Sequence, residues 1–228
     1  MTSTSIETMT GQFVDLVNPD PKTIDIRDIA WATSRMPRYV GHTVSALPYT
    51  IAQHSIFVTE LTLELFKRDG VQDLKKSYFS FLNEQLSKDP VAHEECQKLL
   101  SRPANVRLLL EILMHDASEA YIVDVPTPLK EADGFKQVYL ELENKMMSAI
   151  RQRFNMGNPD PHHLKVLKWA DRAALTIEAH HLIRSRGENW TRLMPMDMTS
   201  MRLFKEPKEP IAVYEDFIQW FEELTTHA

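Results

Sequence analysis

The residues best equipped for chemistry lie in HDASEAYIVDVPTPLK, residues 115 to 130. Imidazole beside carboxylate, in His115 and Asp116, is a pairing that suits a metal ion. The preceding NVRLLLEILM is apolar at helical spacing, with Asn105 as its N-cap. That spacing predicts one buried helix, with His115, Asp116 and Glu119 near its C-terminal end. His115 and Glu119 then share a face. His115 and Asp116 diverge by about 100° and meet one ion only where the helix presents its edge. Pro126 and Pro128 stop the helix, and the extended turn between carries Asp124 and is followed by Lys130.

A lone His-Asp dipeptide is common and reads as a surface pair near a helix end. Here other segments point the same way. In YTIAQHSIFVTELTLELF, the residues Ile51, Phe57, Val58, Leu61 and Leu65 form a helical stripe with His54 at its edge. In HHLKVLKWADRAALTIEAHHLI, a second amphipathic pattern sets Asp171 among Leu167, Ala170, Ala174 and Leu175. Polar groups buried without partners are strongly unfavourable. One ion held by His54, His115, Asp116 and Asp171 satisfies all four.

The order H…HD…D, the phrase HDASE, the DxPTPxK turn and the WAD segment resemble the HD superfamily of metal-dependent phosphohydrolases. The resemblance covers roughly residues 25 to 185, and four separated motifs occur in the family's order. It is closest to the small all-helical 5′-deoxynucleotidases and to phage-type enzymes that remove triphosphate from deoxynucleoside triphosphates. The resemblance implies one divalent metal on His54, His115, Asp116 and Asp171. It implies Glu119 and Asp124 as the acids that assist the attacking water, and Arg38 as the phosphate ligand. Two positions depart from the family. The aromatic beside the arginine, usually tryptophan in the deoxynucleotidases, is Tyr39, and the turn reads IVD where the family has TGD. Both border the expected nucleoside pocket.

The chain has 228 residues, long enough for one substantial core, and its 43% hydrophobic and 25% charged residues are those of an ordinary globular protein. A single cysteine, Cys96, excludes an internal disulfide framework and a cysteine-based zinc knuckle. No apolar run approaches the ~20 residues needed to span a bilayer. The polar start MTSTSIETMTGQ has no signal-peptide apolar region, so a cytoplasmic setting and no membrane partner are expected. Net charge is −6, which gives no electrostatic case for binding a nucleic-acid duplex. An anionic substrate must be captured by local positive groups.

Along the chain, residues 1 to 10 read as a disordered leader, and FVDLVNPDPKTIDI as a small hairpin about Asn18-Pro19-Asp20-Pro21. Asp25 or Asp28 caps the helix DIAWATSRM, and a loop then delivers Arg38 and His42 toward His54, with His42 read as a bystander. Residues 67–104 are charged and weakly periodic. They read as an insertion of short helices, a lid or an oligomer contact, in which His93, Glu94 and Glu95 form a solvated face. Phe135, Val138, Leu142, Met146, Ile150 and Phe154 make one apolar stripe expected in the core. His162, His163, His180 and His181 read as surface or packing residues, and Glu178, two turns after Asp171, as a pocket-lining group or one that orients a ligand histidine. The last helix carries Tyr214, Phe217, Ile218 and Phe221. No glycine-rich phosphate loop occurs, which excludes P-loop and Rossmann nucleotide binding.

The reading is a single all-α domain over residues 1–228, a compact helical bundle with a small N-terminal β-hairpin, expected to form a homo-oligomer. Its expected function is divalent-metal-dependent release of phosphate from deoxynucleoside monophosphates. The alternatives are a deoxynucleoside triphosphate triphosphohydrolase and, from another class, a non-catalytic nucleotide sensor. Two histidines and two carboxylates suit Co²⁺, Mn²⁺, Zn²⁺, Fe²⁺ or Ni²⁺ better than Mg²⁺. Arg38 is expected to hold the phosphate by a forked contact, Tyr39 to border the nucleoside and Lys130 to add a point charge.

Overall fold

The computed structural model describes residues 4–67, 106–196 and 198–226. Asp25 starts the first helix: its carboxylate accepts from the Arg27 N–H at 2.9 Å, and α1 runs over Ile26–Thr33. Ahead of it, β1 (Ser5–Glu7) pairs antiparallel with β2 (Phe13–Asp15), placing Ile6 opposite Val14. The hairpin therefore lies earlier than the sequence suggests. Residues 5–7, expected in a leader, form a strand, and the second expected strand is a 3-10 turn over Pro21–Thr23 followed by α1. The cause is a tertiary contact. Buried Asp28 of α1 accepts from Thr8 Oγ1 at 2.8 Å, Thr10 N–H at 2.8 Å and Thr10 Oγ1 at 2.6 Å, which fastens the hairpin turn to the helix.

The remaining described elements are helical: α2 (Ile51–Lys67), α3 (Val106–Leu113), α4 (Glu119–Ile122), α5 (Thr127–Lys130), α6 (Phe135–Arg153), α7 (Pro161–Leu182), α8 (Met198–Met201) and α9 (Pro210–Thr226). The molecule is thus mostly helical with one small two-stranded sheet. Leu109, Leu113, Met146, Ile150, Phe217 and Phe221 bring α3, α6 and α9 into one apolar cluster. In a second cluster Ala170, Ala173, Ala174 and Ile177 of α7 lie against Phe57, Val58 and Leu61 of α2 and Leu108 and Ile112 of α3. Three alanines on that face let α7 approach α2 closely, and that approach brings the polar edges of the two helices within hydrogen-bond reach.

Two expectations are corrected. The stripe on α6 is core only in its C-terminal half. Met146 and Ile150 are buried, whereas Val138 is 58% exposed and Phe135 is exposed too, because the first turns of α6 bury Tyr139 instead, whose hydroxyl donates to Val123 O at 3.0 Å. The helix before His115 also ends sooner than expected. α3 stops at Leu113, and the His115 N–H turns to Ile112 O at 3.3 Å, tightening the chain before α4 begins at Glu119. His115 and Glu119 are therefore not neighbours on one helix face. The expected N-cap Asn105, the 67–104 insertion beyond Lys67, and His93, Glu94 and Glu95 lie outside the described residues.

Candidate metal centre

The loop before α2 is closed at its base. Pro37 and Thr50 form an antiparallel bridge, the Arg38 N–H donates to Tyr49 O at 2.8 Å, and the Ile51 N–H donates to Met36 O at 3.1 Å. Thr50 Oγ1 accepts from the Gln53 N–H at 3.3 Å and starts the helix. Arg38 and Tyr49 are thereby held at the N-terminal end of α2, whose His54 has no exposure.

His54 meets two carboxylates of α7. Its Nδ1 lies 2.6 Å from Glu178 Oε1, and its Nε2 lies 3.1 Å from Asp171 Oδ1 and 3.8 Å from Asp116 Oδ2. His115 Nε2 lies 3.1 Å from Asp116 Oδ2, and its Nδ1 lies 2.7 Å from Ile112 O. One ligand atom each from His54, His115 and Asp116 falls within 4.8 Å of the others, a group that could hold a metal ion. Asp171 flanks it through His54, with its side chain 44% exposed.

The tautomers decide what this arrangement needs. Ile112 O only accepts, so His115 Nδ1 carries a proton and Nε2 presents a lone pair. Glu178 Oε1 fixes His54 in the same way, and His54 Nε2 is buried without a hydrogen-bond partner. Two lone pairs thus point toward carboxylate oxygens, and acceptor against acceptor is stable only with a cation or protons between them. The donor set fits a divalent transition metal. Without one, protons serve. Burial pushes the His115 pKa down, but Asp116 outweighs it and raises the pKa to about 9. For His54, burial and the Arg38 charge are outweighed by Glu178 and Asp171, and the pKa is raised. Burial alone would raise Asp116, yet His115, His54 and Arg38 hold its carboxyl well below the usual carboxylate range.

Glu178 is wholly buried and has four contacts. Besides His54, it accepts from Tyr39 OH at 2.6 Å and Tyr49 OH at 3.0 Å, and Arg38 Nε stands 3.3 Å away. Burial opposes its ionisation, but His54 and Arg38 prevail and lower its pKa. Its contact with the proximal nitrogen of His54 matches the orienting role that its spacing from Asp171 suggests. The Arg38 guanidinium also places Nη1 3.6 Å from Asp116 Oδ2, so its charge sits directly beside the His/Asp group.

Glu119 opens α4 with one oxygen 3.3 Å from Lys130 Nζ and the other buried without a hydrogen-bond partner. Burial, then Asp116 and Asp124, push its pKa up to about 9, with Lys130 and Arg38 pulling the other way. Asp124 follows Val123, and its N–H points to Met36 Sδ at 3.4 Å. Lys130 also lies 4.8 Å over the ring of Tyr139. Sequence reasoning missed Tyr49 and Tyr139. Tyr49 reaches the site through Glu178, 129 positions along the chain, and Tyr139 through Lys130 and Val123 across the turn before α6.

Three further histidines among the described residues have other surroundings. His42 is exposed, His181 stacks on Phe204 with centroids 4.5 Å apart, and buried His163 pairs with Glu111 at 3.3 Å.

Fold and site define a mostly helical protein with a partly buried His/Asp group that could hold a metal ion. No family model matches the chain. It is 26% identical over 222 residues, 96% of this chain and 95% of the relative, to the uncharacterized protein YfdR of Escherichia coli K12. It is 27% identical over 175 residues, 76% of this chain and 70% of the relative, to an uncharacterized protein of Rhodobacter capsulatus. Among the described residues, no helix is long and apolar enough to cross a membrane.

Proposed function

We propose that the chain is a metal-dependent phosphohydrolase of the HD superfamily that acts on deoxynucleotides, releasing phosphate from deoxynucleoside monophosphates. The observation that carries this reading is that the Nε2 atoms of His54 and His115 lie 3.8 Å and 3.1 Å from Asp116 Oδ2, with the Arg38 guanidinium 3.6 Å from the same oxygen. On this proposal the cation site and the phosphate ligand share one wall.

In this reading His54, His115, Asp116 and Asp171 hold the cation. A bound divalent metal supplies charge neutralisation at the phosphoryl group and makes water a better nucleophile. Arg38 draws the phosphate in, and the Nε contact with Glu178 keeps its planar head oriented. Glu119 exchanges a proton with the attacking water or the leaving 5′ oxygen, and Lys130 holds its carboxyl in place. Asp124, whose charge helps raise Glu119, stands for the second proton transfer.

The test is a phosphate-release screen over deoxynucleoside mono- and triphosphates with Mn²⁺, Co²⁺, Zn²⁺, Fe²⁺ and Ni²⁺. Release that needs metal, falls roughly 10²–10⁴-fold in Glu119→Gln and leaves metal content intact is the expected result. Release of triphosphate in place of phosphate would move the assignment to a triphosphohydrolase. No release from any nucleotide with any of these metals would overturn the reading in favour of a nucleotide sensor.

A further inference from the structure

Trp190 has no part in the cation site, yet its ring stands beside that of Tyr39, the neighbour of Arg38. Its indole is 36% exposed, and its ring centroid lies 6.0 Å from that of Tyr39 at an interplanar angle of 45°. The Tyr39 ring is itself pinned: its hydroxyl donates to Glu178 at 2.6 Å, and the Arg38 guanidinium carbon lies 5.4 Å from its centroid. Trp190 is thus one ring away from the positive charge beside Asp116.

The turn carrying Trp190 is built onto the end of α7. Arg186 and Gly187 both have positive φ, and the Trp190 N–H donates to Gly187 O at 2.9 Å. Gly187 has φ 77, a conformation that favours glycine, and a Cβ there would crowd Ala179 Cβ at 3.2 Å and displace the end of the Leu193 side chain. Ala179 follows Glu178, which ties the turn to the helical turn that anchors Tyr39. On the other side the Val44 N–H donates to Leu182 O at 2.8 Å, joining the Arg38 loop to the same helix end.

An exposed indole set against a locked phenol, next to an arginine and a cation site, matches the needs of a ligand with a flat π face at one end and an anion at the other. We propose that Trp190, together with Tyr39, is the platform on which the base of the deoxynucleotide stacks. This rests on the phosphohydrolase reading for the position of the phosphate, and it adds a determinant that no local motif marks. Base stacking on an aromatic ring tolerates every base, and the larger face of a purine gains more from it than that of a pyrimidine.

The test compares dAMP with deoxyribose 5-phosphate, which keeps the phosphate and lacks the base, using the full chain loaded with Mn²⁺. Trp190→Ala should lower the ratio of their kcat/KM values roughly 10- to 100-fold, through KM for dAMP, and Trp190→Phe should restore most of it. An unchanged ratio would overturn the proposal. A second readout needs no turnover: deoxyadenosine, which has no phosphate, should quench tryptophan fluorescence in the parent and not in Trp190→Phe. Equal quenching in both, or none in either, would also overturn it. If the parent hydrolyses neither phosphate ester, the phosphohydrolase reading fails, and the deoxyadenosine titration still decides the role of Trp190.

Discussion

Glu178 Oε1 lies 2.6 Å from His54 Nδ1, a contact between two fully buried side chains 124 positions apart in the chain. It fixes which nitrogen of His54 faces Asp116 and Asp171, so a residue outside the candidate ligands sets how one of them presents itself. Glu178→Gln keeps one oxygen for His54 Nδ1 and the Tyr49 hydroxyl, puts an NH2 group where Oε2 accepts from the Tyr39 hydroxyl, and removes the charge. Metal affinity in this variant should fall about 10- to 100-fold while the fold persists, as read by chelator competition and circular dichroism. Parental affinity would show that His54 needs no charged partner.

Alanine at His54 or Asp171 should remove bound metal in both cases, but the two should differ in stability once the proteins are chelated. Loss of the His54 ring opens a cavity in the core and takes one of four partners from buried Glu178, which costs on the order of 3 kcal/mol. The Asp171 side chain is 44% exposed, and its loss should cost much less. Metal content and urea midpoints measured side by side test both statements. Near-stoichiometric metal in Asp171→Ala would remove it from the ligand set.

Glu119 makes the stability of the chelated protein depend on pH. Its folded-state pKa of about 9 lies above the ordinary glutamate value of 4.5, because burial, Asp116 and Asp124 penalise the anion. The proton is held more tightly in the folded chain than in the unfolded one. The stabilisation it brings is complete below about pH 4.5 and is lost as pH rises through about 9. Glu119→Gln carries no such proton, so its urea midpoint should fall less than the parent's between about pH 5 and about pH 9. Parallel pH profiles for the two proteins would contradict the raised pKa.

Val123 adopts φ 62 and ψ 155 between α4 and Asp124, a backbone region that suits glycine and strains a β-branched residue. Its side chain is 54% exposed, so little packing is lost on its removal. Relief of strain should exceed the extra entropy of an unfolded glycine, and Val123→Gly should stabilise the chain by about 1 kcal/mol. A lower denaturation midpoint in Val123→Gly would count against strain at this turn.

The local patterns in the chain carry a large part of this structure. Apolar spacing marks α2, α7 and α9, and Asp25 caps α1, because side chains three and four positions apart share a helix face whatever the rest of the molecule does. The same spacing places Glu178 two turns from Asp171, and the separated histidines and acids suggest a cation. Other features have no local origin. The break after Leu113 gives the Ile112 carbonyl to His115 Nδ1, and the fastening of Thr8 and Thr10 to Asp28 turns an expected leader into a strand. Tyr49 and Tyr39 meet Glu178 across 129 and 139 positions. Such contacts depend on how closely α7 packs on α2 and on a loop closed by Pro37 and Thr50, so their geometry exists only once the helices are assembled. The sequence by itself determined which residues could bind a cation; the tertiary structure decided which of their atoms face one another.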